Sequence, residues 1–465
     1  MPAIADFSVS DRALRIAETD LAYSGGLGLG MERFYRSDSS RIGLFGRGWG
    51  SRYETRLTVE ADGGLVVHEC GCGPAVTFRP IQGQPGLWEG PGCDYQRIKQ
   101  IPGGYQRLLG AGKTETFSSD GRLLRAADTD GNWVAVGYDK DRIAAIEDNY
   151  GRKMVFAYAP DGRLDRVEGE GDRKARYQFD PDGRLIAATD SDGVEHAYSY
   201  DENGLLVAEI GPDGNKMTAT YEFGRLAILS ENGGVRRFGG DEGEGWRELW
   251  EAAQDSEGHL VSIAHRIQLY RTDSQGQGRL WRELSSRNGS RLDTEYNDLG
   301  LPAIIRDGNG RSGGFRYDAR GRLVHKETAD EILDLRYDPK IGKVSRIERR
   351  SGGSPTWSTF TYNGRGNLVG ANDELGRKVS LTYDEHGRIA GITQQGRYFT
   401  FTYNRESKPT TIALAGVGTI RVEYDQKGEI ARVESSSGPA MALKVTSMFQ
   451  HLLTLVRPAD VKVGL

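Results

Sequence analysis

An aromatic residue, most often a tyrosine followed by aspartate or asparagine, recurs along this chain at a nearly constant spacing. In the first run the steps are 20 or 21 residues, at Phe117, Tyr138, Tyr158, Phe179, Tyr200 and Tyr221. In the second run they are 20 or 21 residues with a single step of 25, at Tyr296, Tyr317, Tyr337, Tyr362, Tyr383, Tyr403 and Tyr424. A period near 20 residues indicates a repeat architecture, in which each unit buries its apolar face only against its neighbours.

One clean unit, residues 179–200, predicts two short strands separated by two turns. Its turn signals are DPDG at 180–183 and DSDG at 190–193. Proline presets φ, aspartate bonds its own backbone and glycine accepts a positive φ, so both tetrapeptides favour tight turns. The segments between them, Arg184 to Thr189 and Val194 to Tyr200, have strand length and are bounded by these turns.

The side chains of the repeat have structural rather than catalytic interpretations. Because side chains alternate along a strand, His196, Tyr198 and Tyr200 are expected on one face of the sheet. We expect each repeated tyrosine ring to pack on the next unit and the following carboxylate to cap its turn. The regular spacing spreads the aspartates along the chain, so no common catalytic centre is predicted from them.

Composition restricts the classes of partner. The chain has 465 residues, 64 of them glycine, and 61 basic against 66 acidic residues give a net charge of −5. No basic stripe indicates nucleic-acid binding, and no apolar run of 18 residues predicts a membrane-spanning helix. The N-terminus lacks a basic region followed by an apolar stretch, so a cleaved secretory signal is not expected. A hydrophobic fraction of 37% favours a thin sheet that is fairly polar on both faces.

Residues 1–90 differ in texture from the repeats. Strands are predicted at Leu14 to Ile16, Gly28 to Tyr35 and Ser51 to Glu60. The sequence GLGLG at 26–30 lacks the lysine and helix of a phosphate loop, so it predicts a close approach of two backbones. A small plug-like core is expected from the aromatic residues Phe34, Tyr35, Phe45, Trp49 and Tyr53.

The three cysteines, Cys70, Cys72 and Cys93, leave an unpaired number and argue against a disulfide scaffold. On a strand, His68, Cys70 and Cys72 would share a face and, with Cys93, could surround zinc. The Cys-x-x-Cys knuckle typical of structural zinc is missing, which favours simple thiols. We therefore predict no metal, no cofactor and no catalytic residue.

Residues 226–290 interrupt the period. Within them, EGEGWRELWEAAQ at 242–254 places Trp246, Leu249 and Trp250 at helical spacing. Degenerate repeats with a longer edge loop or one helical turn are one interpretation. An exposed tryptophan pair that binds a partner is the other.

The C-terminal residues 441–457 mix apolar and polar positions in a helical pattern that Pro458 ends. The predicted apolar stripe comprises Val445, Met448, Phe449, Leu452 and Leu453. A helix that caps the last sheet edge and a helix that docks another protein both remain open.

The motif Tyr-Asp-x-x-Gly-Arg-Leu, repeated more than ten times with variations, resembles the YD repeats of Rhs proteins, teneurins and the C components of insecticidal Tc toxins. The N-terminal series resembles the module that opens bacterial Rhs cores, on the residues Asp6-Phe7, Thr19-Asp20-Leu21, Glu32 to Ser37 and Leu44 to Trp49. The resemblance covers residues 6–434. It implies an all-β fold in which a spiral sheet forms part or all of a hollow, cocoon-like shell, here with a short C-terminal helix.

The resemblance also implies the function, a non-enzymatic component that encloses or docks a toxin in a polymorphic toxin system linked to type VI secretion. The implied partners are a toxin cargo, an adaptor, a secretion spike, or further copies that complete the shell, and the location is the cytoplasm with export that needs no cleaved signal. The family's self-cutting Asp-Pro-x-Gly-Leu region is not found, because Asp460 follows Pro458 in another context. A cell-surface or carbohydrate-binding protein is the alternative. The predicted segments are 1–90 (N-terminal module), 91–225 (repeats), 226–290 (degenerate repeats or insertion), 291–434 (repeats) and 435–465 (cap or docking segment).

Overall fold

The structure is a computed structural model. It describes residues 7–8, 12–23, 27–90, 96–109, 113–128, 131–212, 214–272, 278–319, 321–339, 342–364, 366–394, 396–404, 408–424, 430–438, 441, 443–445, 447 and 464.

The N-terminal strands form their own small sheets, because β1, β2, β3 and β6 pair in that order and β4 pairs with β5. A 3-10 helix at Arg52–Glu54, capped by Ser51, leads out of them. The strands are β1 (Phe7–Ser8), β2 (Ala13–Ala22), β3 (Gly30–Arg36), β4 (Ile42–Gly43), β5 (Gly46–Arg47) and β6 (Trp49–Gly50).

The remaining 36 strands of the described chain form one antiparallel sheet, the wall, in which each strand pairs with the next along the chain. Its first part comprises β7 (Arg56–Val59), β8 (Leu65–His68), β9 (Ala75–Pro80), β10 (Leu87–Glu89), β11 (Arg97–Ile101), β12 (Gly104–Leu108), β13 (Thr114–Ser118), β14 (Leu123–Ala127), β15 (Trp133–Asp139), β16 (Arg142–Asp148), β17 (Lys153–Tyr158), β18 (Leu164–Glu168), β19 (Lys174–Phe179), β20 (Leu185–Thr189), β21 (Glu195–Tyr200), β22 (Leu206–Ile210), β23 (Lys216–Glu222) and β24 (Arg225–Glu231).

Four longer strands follow, β25 (Gly234–Gly243), β26 (Trp246–Gln254), β27 (Leu260–Thr272) and β28 (Gly278–Arg287). The last part comprises β29 (Ser290–Tyr296), β30 (Pro302–Asp307), β31 (Ser312–Tyr317), β32 (Leu323–Thr328), β33 (Ile332–Tyr337), β34 (Val344–Arg350), β35 (Thr356–Tyr362), β36 (Leu368–Asp373), β37 (Lys378–Tyr383), β38 (Ile389–Gln394), β39 (Arg397–Tyr403), β40 (Pro409–Leu414), β41 (Gly418–Tyr424) and β42 (Ile430–Ser435). The all-β expectation is confirmed.

The first strand of the wall also meets the wall further along. The Leu57 amide donates to the Gly121 carbonyl at 2.9 Å, and the backbones of Arg56 and Arg122 form an isolated antiparallel β-bridge. The sheet therefore curls back on its own start close to Phe117, the first aromatic residue of the repeat run.

The two strands and two turns predicted for residues 179–200 are observed as β20 and β21 with their flanking turns. The Asp180 Oδ1 accepts the Arg184 amide at 2.9 Å, and its Oδ2 accepts the Arg184 Nε at 2.7 Å. The same carboxylate position caps a turn at Asp201, Asp318 and Asp384. Turn capping by the repeated acidic residue is therefore confirmed.

The repeated tyrosine packs on the unit before it, and the prediction of a contact with the unit after it was wrong. Tyr200 Oη donates to the Leu185 carbonyl at 2.8 Å, fifteen residues upstream. The ring also lies beneath the Arg184 guanidinium, 5.9 Å from its centroid. A β-bulge at Ser199/Tyr200 produces this geometry, because the extra residue re-aims the side chain across the strand pair. The hydroxyl bond recurs at Tyr138, Tyr158, Tyr221, Tyr317, Tyr337, Tyr362, Tyr383, Tyr403 and Tyr424.

Residues 242–254 are strand, not helix, so neither the helical spacing nor the helical turn predicted there is present. Trp246 pairs with Gly243 and Trp250 pairs with Gly239 across β25 and β26. Alternation therefore places both tryptophans on one face and the buried Leu249 on the other. The indoles cover the glycines of the neighbouring strand, and this packing accounts for the tryptophans where a helical stripe does not.

The N-terminal expectations hold in outline. The strands at 14–16 and 28–35 are present with shifted ends, and the third is shorter because Ser51 first caps the 3-10 helix. A Cβ at Gly30 would lie 2.9 Å from the Leu21 carbonyl oxygen, so the predicted close backbone approach is observed. Four of the five predicted core aromatics are buried, whereas Phe34 is partly exposed.

Two apolar clusters make up the core. The first combines the N-terminal sheet with β7–β25, and the second comprises wall residues from β31–β40 together with Met441 and Val445. The described residues 438, 441, 443–445 and 447 are helical. Met448, Phe449, Leu452, Leu453 and Pro458 lie outside the described residues, so the predicted stripe is observed only at Val445. Across the described chain, no helix is both long and apolar enough to cross a membrane.

Candidate functional site

The N-terminal sheet is seated on the face of β19–β24, and polar contacts fix it there. The Trp49 Nε1 donates to Tyr200 Oη at 2.9 Å, and the Leu206 amide donates to Tyr35 Oη at 2.9 Å. The Ser191 amide donates to the Asp20 carbonyl at 2.7 Å. Each of these contacts joins residues more than 150 positions apart. The first cluster therefore depends on the repeats and the N-terminal sheet together.

A buried arginine lies at the centre of this interface. Arg33 is 1% exposed, and its Nε donates to Asp20 Oδ2 at 2.7 Å while a terminal nitrogen donates to Glu18 Oε2. Another terminal nitrogen donates to Tyr198 Oη at 2.9 Å. Tyr177 Oη donates to the same Asp20 oxygen at 2.8 Å. Burial alone would lower the pKa of Arg33, but Asp20, Tyr198 and Glu18 raise it well above its usual value, so the guanidinium stays charged.

Beside Arg33, the side chains of Glu18, His196 and Glu209 meet where the N-terminal sheet faces the wall. Glu18 comes from β2, His196 from β21 and Glu209 from β22. The His196 Nδ1 lies 2.8 Å from Glu209 Oε1 and 3.2 Å from Glu18 Oε1. Within the described chain the Glu18 Oε1 is buried and makes no hydrogen bond. An open cavity of about 470 Å³ adjoins the three groups.

The three groups have shifted pKa values in opposite directions. Burial raises the pKa of Glu18; the charge of Arg33 opposes this effect, whereas direct contact with Glu209 and the charge of Glu209 add to it. Burial also acts on Glu209, but its contact with His196 prevails and lowers the pKa of Glu209. The hydrogen bond to Glu209 raises the pKa of His196. Glu18, His196 and Glu209 can therefore hold a proton or a cation between the N-terminal sheet and the wall.

The sequence predicted the face but not the cluster. His196, Tyr198 and Tyr200 do share one face, and each of the three contacts the N-terminal sheet. Glu18, Arg33 and Glu209 were not singled out as a group. A signal for Asp20 and Arg33 existed, because both fall in the N-terminal series that carries the family resemblance. Nothing local marked Glu209, which reaches the cluster only through the pairing of β21 with β22.

The cysteine arrangement differs from the one weighed for zinc. Strand β8 ends at His68, and Cys70 and Cys72 lie in the following turn, with Cys70 at a φ of 51°. The alternation that would place these three residues on one face therefore does not apply. Burial raises the pKa of both thiols to about 12, so they are neutral, and Cys72 Sγ donates to the Phe34 carbonyl at 3.2 Å. Cys93 lies outside the described residues.

The remaining histidines stay dispersed over the described chain. His325 contacts Asp334 with Nδ1 at 2.8 Å, and His265 contacts Glu248 with Nε2 at 2.5 Å. Both are cross-strand pairs of adjacent wall strands. His386 lies in a turn, His259 follows a turn just before β27, and His451 and Asp460 lie outside the described residues. Trp246 and Trp250 are 38% and 41% exposed, because each indole contacts a glycine of β25 on one side only.

Comparison with known families gives three matches along the chain. The model described as a domain of unknown function, DUF6531, matches residues 13–78, which hold the N-terminal sheet and the first wall strands. The RHS Repeat model matches residues 179–216, and the Teneurin YD-shell model matches residues 324–458.

Two curated relatives and one solved structure agree with these matches. Double-stranded DNA deaminase toxin A of Burkholderia cenocepacia (strain H111) is 28% identical over 172 residues, 32% of this chain and 12% of that protein. Toxin protein Tse5 of Pseudomonas aeruginosa is 26% identical over 218 residues, 46% of this chain and 14% of that protein. The crystal structure of TcdB2-TccC3-TEV is 12% identical and superposes with a TM-score of 0.50 over 94% of this chain and 28% of that one.

A continuous antiparallel wall of tyrosine-anchored hairpins, seated on an N-terminal sheet, defines the class of YD-repeat shell proteins. The resemblance to Rhs/YD-repeat proteins is confirmed by the RHS Repeat and Teneurin YD-shell matches and by the two toxin relatives, and the fold is that of the TcdB2-TccC3-TEV structure. The chain spans about an eighth of the length of the curated relatives it matches.

Proposed function

We propose that this chain is a wall component of an Rhs-type toxin system, which encloses or docks a toxin or another partner protein and performs no chemistry itself. Similarity to the teneurin YD-shell and to the toxin protein Tse5 supports a role in a toxin-system shell. The enclosed protein, the partner that docks and the route of delivery are the further content of the proposal. A protein partner is favoured over a small ligand because 36 strands of the described chain form one long wall.

The observation that carries the proposal is the apolar face shared by both parts of the wall. The residue two positions before each repeated tyrosine points to this face, as at Tyr177, Tyr198, Leu335 and Leu381. At β19–β24 the N-terminal sheet covers the face. At β31–β40 the described contacts come from neighbouring wall strands and from Met441 and Val445. Because Leu335 and Leu381 are each only 5% exposed, a partner segment would bind along that second stretch by taking the place of the chain segments that now cover it.

A non-enzymatic role fits the distribution of reactive groups. The turn aspartates accept backbone amides, as at Asp201, and some also bond an arginine of the same turn, as Asp318 bonds Arg322. The proposal predicts that purified chain keeps its mass of 51.2 kDa on prolonged incubation at neutral pH. Spontaneous appearance of two discrete fragments would contradict it.

Glycan binding is the competing function. Trp246 and Trp250 each have one indole face against a glycine of β25, which accounts for them structurally. Their outer faces remain available for stacking on a sugar. A glycan array on the wild type and on the W246L/W250L variant separates the two functions. Tryptophan-dependent glycan binding would replace the shell proposal.

Protection of cargo is the direct test of enclosure. An unfolded segment of about 100 residues, roughly one domain's length, is fused after the last residue of the full chain and, as a matched control, before the first. Protease digestion is followed by intact mass. We expect the C-terminal fusion to survive at least tenfold longer than the N-terminal one. Equal and rapid digestion of both fusions would overturn enclosure while leaving a docking role.

The proposed route is export from the cytoplasm by type VI secretion without a cleaved signal. The test measures the protein in the medium of a producing strain with and without a functional contractile sheath. Loss of the protein from the medium of the sheath mutant, with unchanged amounts in the cell, is the expected result. Export that persists in the sheath mutant would reject this route.

A further inference from the structure

We propose that Glu18, His196 and Glu209 form a zinc site that fastens the N-terminal sheet to the wall. One imidazole nitrogen and two carboxylate oxygens lie within 4.8 Å of one another. This donor set suits Zn²⁺ better than Mg²⁺ or Ca²⁺, which prefer oxygen ligands alone. The three ligands come from β2, β21 and β22, so a bound ion would join the two parts of the molecule directly.

The distances fit a bound ion. Zinc takes nitrogen and oxygen ligands at about 2.0–2.2 Å, which places two ligands of a tetrahedral site roughly 3.3 Å apart. The His196 Nδ1 is 3.2 Å from Glu18 Oε1 and 2.8 Å from Glu209 Oε1. Small rotations of two side chains therefore suffice to admit the ion. The adjoining cavity of about 470 Å³ leaves a path for entry and room for a water as fourth ligand.

An unsatisfied buried atom points to the same place. The Glu18 side chain is 6% exposed, its Oε2 is held by Arg33 and Tyr198, and its Oε1 makes no hydrogen bond within the described chain. A buried carboxylate oxygen that has an ion-pair contact at 3.2 Å but no hydrogen bond is incompletely satisfied. The His196 Nδ1 lies 3.2 Å from this oxygen and 2.8 Å from Glu209 Oε1. A cation between these atoms supplies the missing partner.

The charge of the cavity favours a cation. Its lining includes five carboxylates, Glu18, Asp20, Asp190, Glu209 and Glu231, against the two cations Arg33 and Lys216. Arg33 neutralises only part of this charge, because both Asp20 and Glu18 contact it. A divalent ion would remove most of the remaining imbalance. Its proximity to Arg33 is tolerable because the carboxylate of Glu18 stands between the two cations.

The experiment uses the full chain, stripped with a chelator and then titrated with Zn²⁺ at pH 7.5 by calorimetry, with Mg²⁺ as the competing ion. We expect one zinc per chain, no comparable heat with Mg²⁺, and a rise in melting temperature on binding. Substitution H196N or E209Q should weaken zinc binding by more than about tenfold and abolish the rise in melting temperature.

The matched control is H325N. His325 is a partly buried wall histidine with acidic neighbours, but these contact different ring nitrogens, Asp334 at Nδ1 and Glu327 at Nε2. Zinc binding by H325N should therefore equal that of the wild type. E209Q guards against misfolding, because it preserves size and a hydrogen-bonding oxygen, and its near-ultraviolet circular dichroism should match that of the wild type.

Three results would overturn the proposal. The first is a wild-type chain that binds no stoichiometric zinc, which would leave a proton shared by Glu18, His196 and Glu209. The second is binding that survives both H196N and E209Q. The third is binding that these variants keep but C72A loses, which would move the ion to the turn that holds Cys70 and Cys72.

Discussion

Two stretches of the wall share one repeat but meet different neighbours. Strands β19–β24 carry the N-terminal sheet, whereas the buried cluster of β31–β40 is completed by Met441 and Val445. Two positions before the repeated tyrosine, the first stretch has Tyr177 and Tyr198, whose hydroxyls reach Asp20 and Glu18. The second stretch has leucine or phenylalanine there, as at Leu335 and Phe360.

The difference teaches how a repeat is made specific. The turn caps and the tyrosine bond are equal in both stretches and belong to the hairpin itself. The hydroxyls of Tyr177 and Tyr198, in contrast, belong to the interface with the N-terminal sheet. A repeat array is stabilised mainly by contacts between neighbours. The covered stretch has a further layer of long-range contacts, so its unfolding should be tied to that of the N-terminal sheet.

The largest expected effect comes from removing a buried cation. Arg33→Met leaves Asp20 and Glu18 without their partner inside the interface, which should cost about 3–5 kcal/mol. The matched change R388M removes an ion pair with Asp384 in the β31–β40 stretch, and should cost less than about 1 kcal/mol. Urea unfolding, with hydrogen exchange resolved by segment, measures both. Equal losses of stability in R33M and R388M would mean that the N-terminal sheet does not stabilise the wall.

A smaller effect is expected from the tyrosine hydroxyls. Tyr200→Phe removes the bond to the Leu185 carbonyl and leaves the Trp49 N–H without its acceptor, at a cost of about 2–3 kcal/mol. Tyr403→Phe removes the bond to the Ile389 carbonyl, at about 1 kcal/mol. The two free energies of unfolding test whether the repeated tyrosine is worth more beneath the plug. A Y403F cost as large as that of Y200F would reject the distinction.

The sequence predicted the hairpins well because their determinants are local. Proline, aspartate and glycine at fixed offsets define the turns at 180–183 and 190–193, and alternation then assigns the face of His196, Tyr198 and Tyr200. The direction of tyrosine packing was predicted wrongly because the β-bulge at each tyrosine turns the ring backwards. A bulge leaves no residue type of its own in the sequence.

The interface could be predicted only in part. Arg33 lies in a series recognisable by resemblance, but its partner Tyr198 is 165 residues away, and no spacing rule relates the two. The helical interpretation of Trp246 and Trp250 failed for a related reason. Positions four apart share a face in a strand as well as in a helix, and the glycines that decide between them lie on the neighbouring strand.

Substitutions in the turn between β37 and β38 should have smaller effects on the free energy of unfolding. The Asp384 Oδ1 accepts the amides of His386 and Arg388 at 3.0 and 2.9 Å. Asp384→Ala loses both and should cost about 1 kcal/mol. Asp384→Asn keeps the accepting oxygen, as Asn404 does for the Lys408 amide, and should cost less than about 0.5 kcal/mol. Melting temperatures rank the two variants, and an Asn variant as unstable as the Ala variant would show that the ion pair outweighs the cap.

The smallest effect per residue is the pH response, which should differ in sign between turn and buried carboxylates. Burial opposes the shift at Asp384, but hydrogen bonds from Arg388 lower its pKa, so its stabilisation is present above about pH 3.9 and is lost as pH falls through the lowered value. Burial raises the pKa of Glu115 beside Arg107, so its contribution falls as pH rises from about 4.3 through the raised value. Melting curves from pH 3 to pH 8 should show a shallower acid limb for D384N and a shallower decline above about pH 4.3 for E115Q. If E115Q instead steepens that decline, the Glu115 carboxylate is held ionised by Arg107 and its assigned sign is wrong.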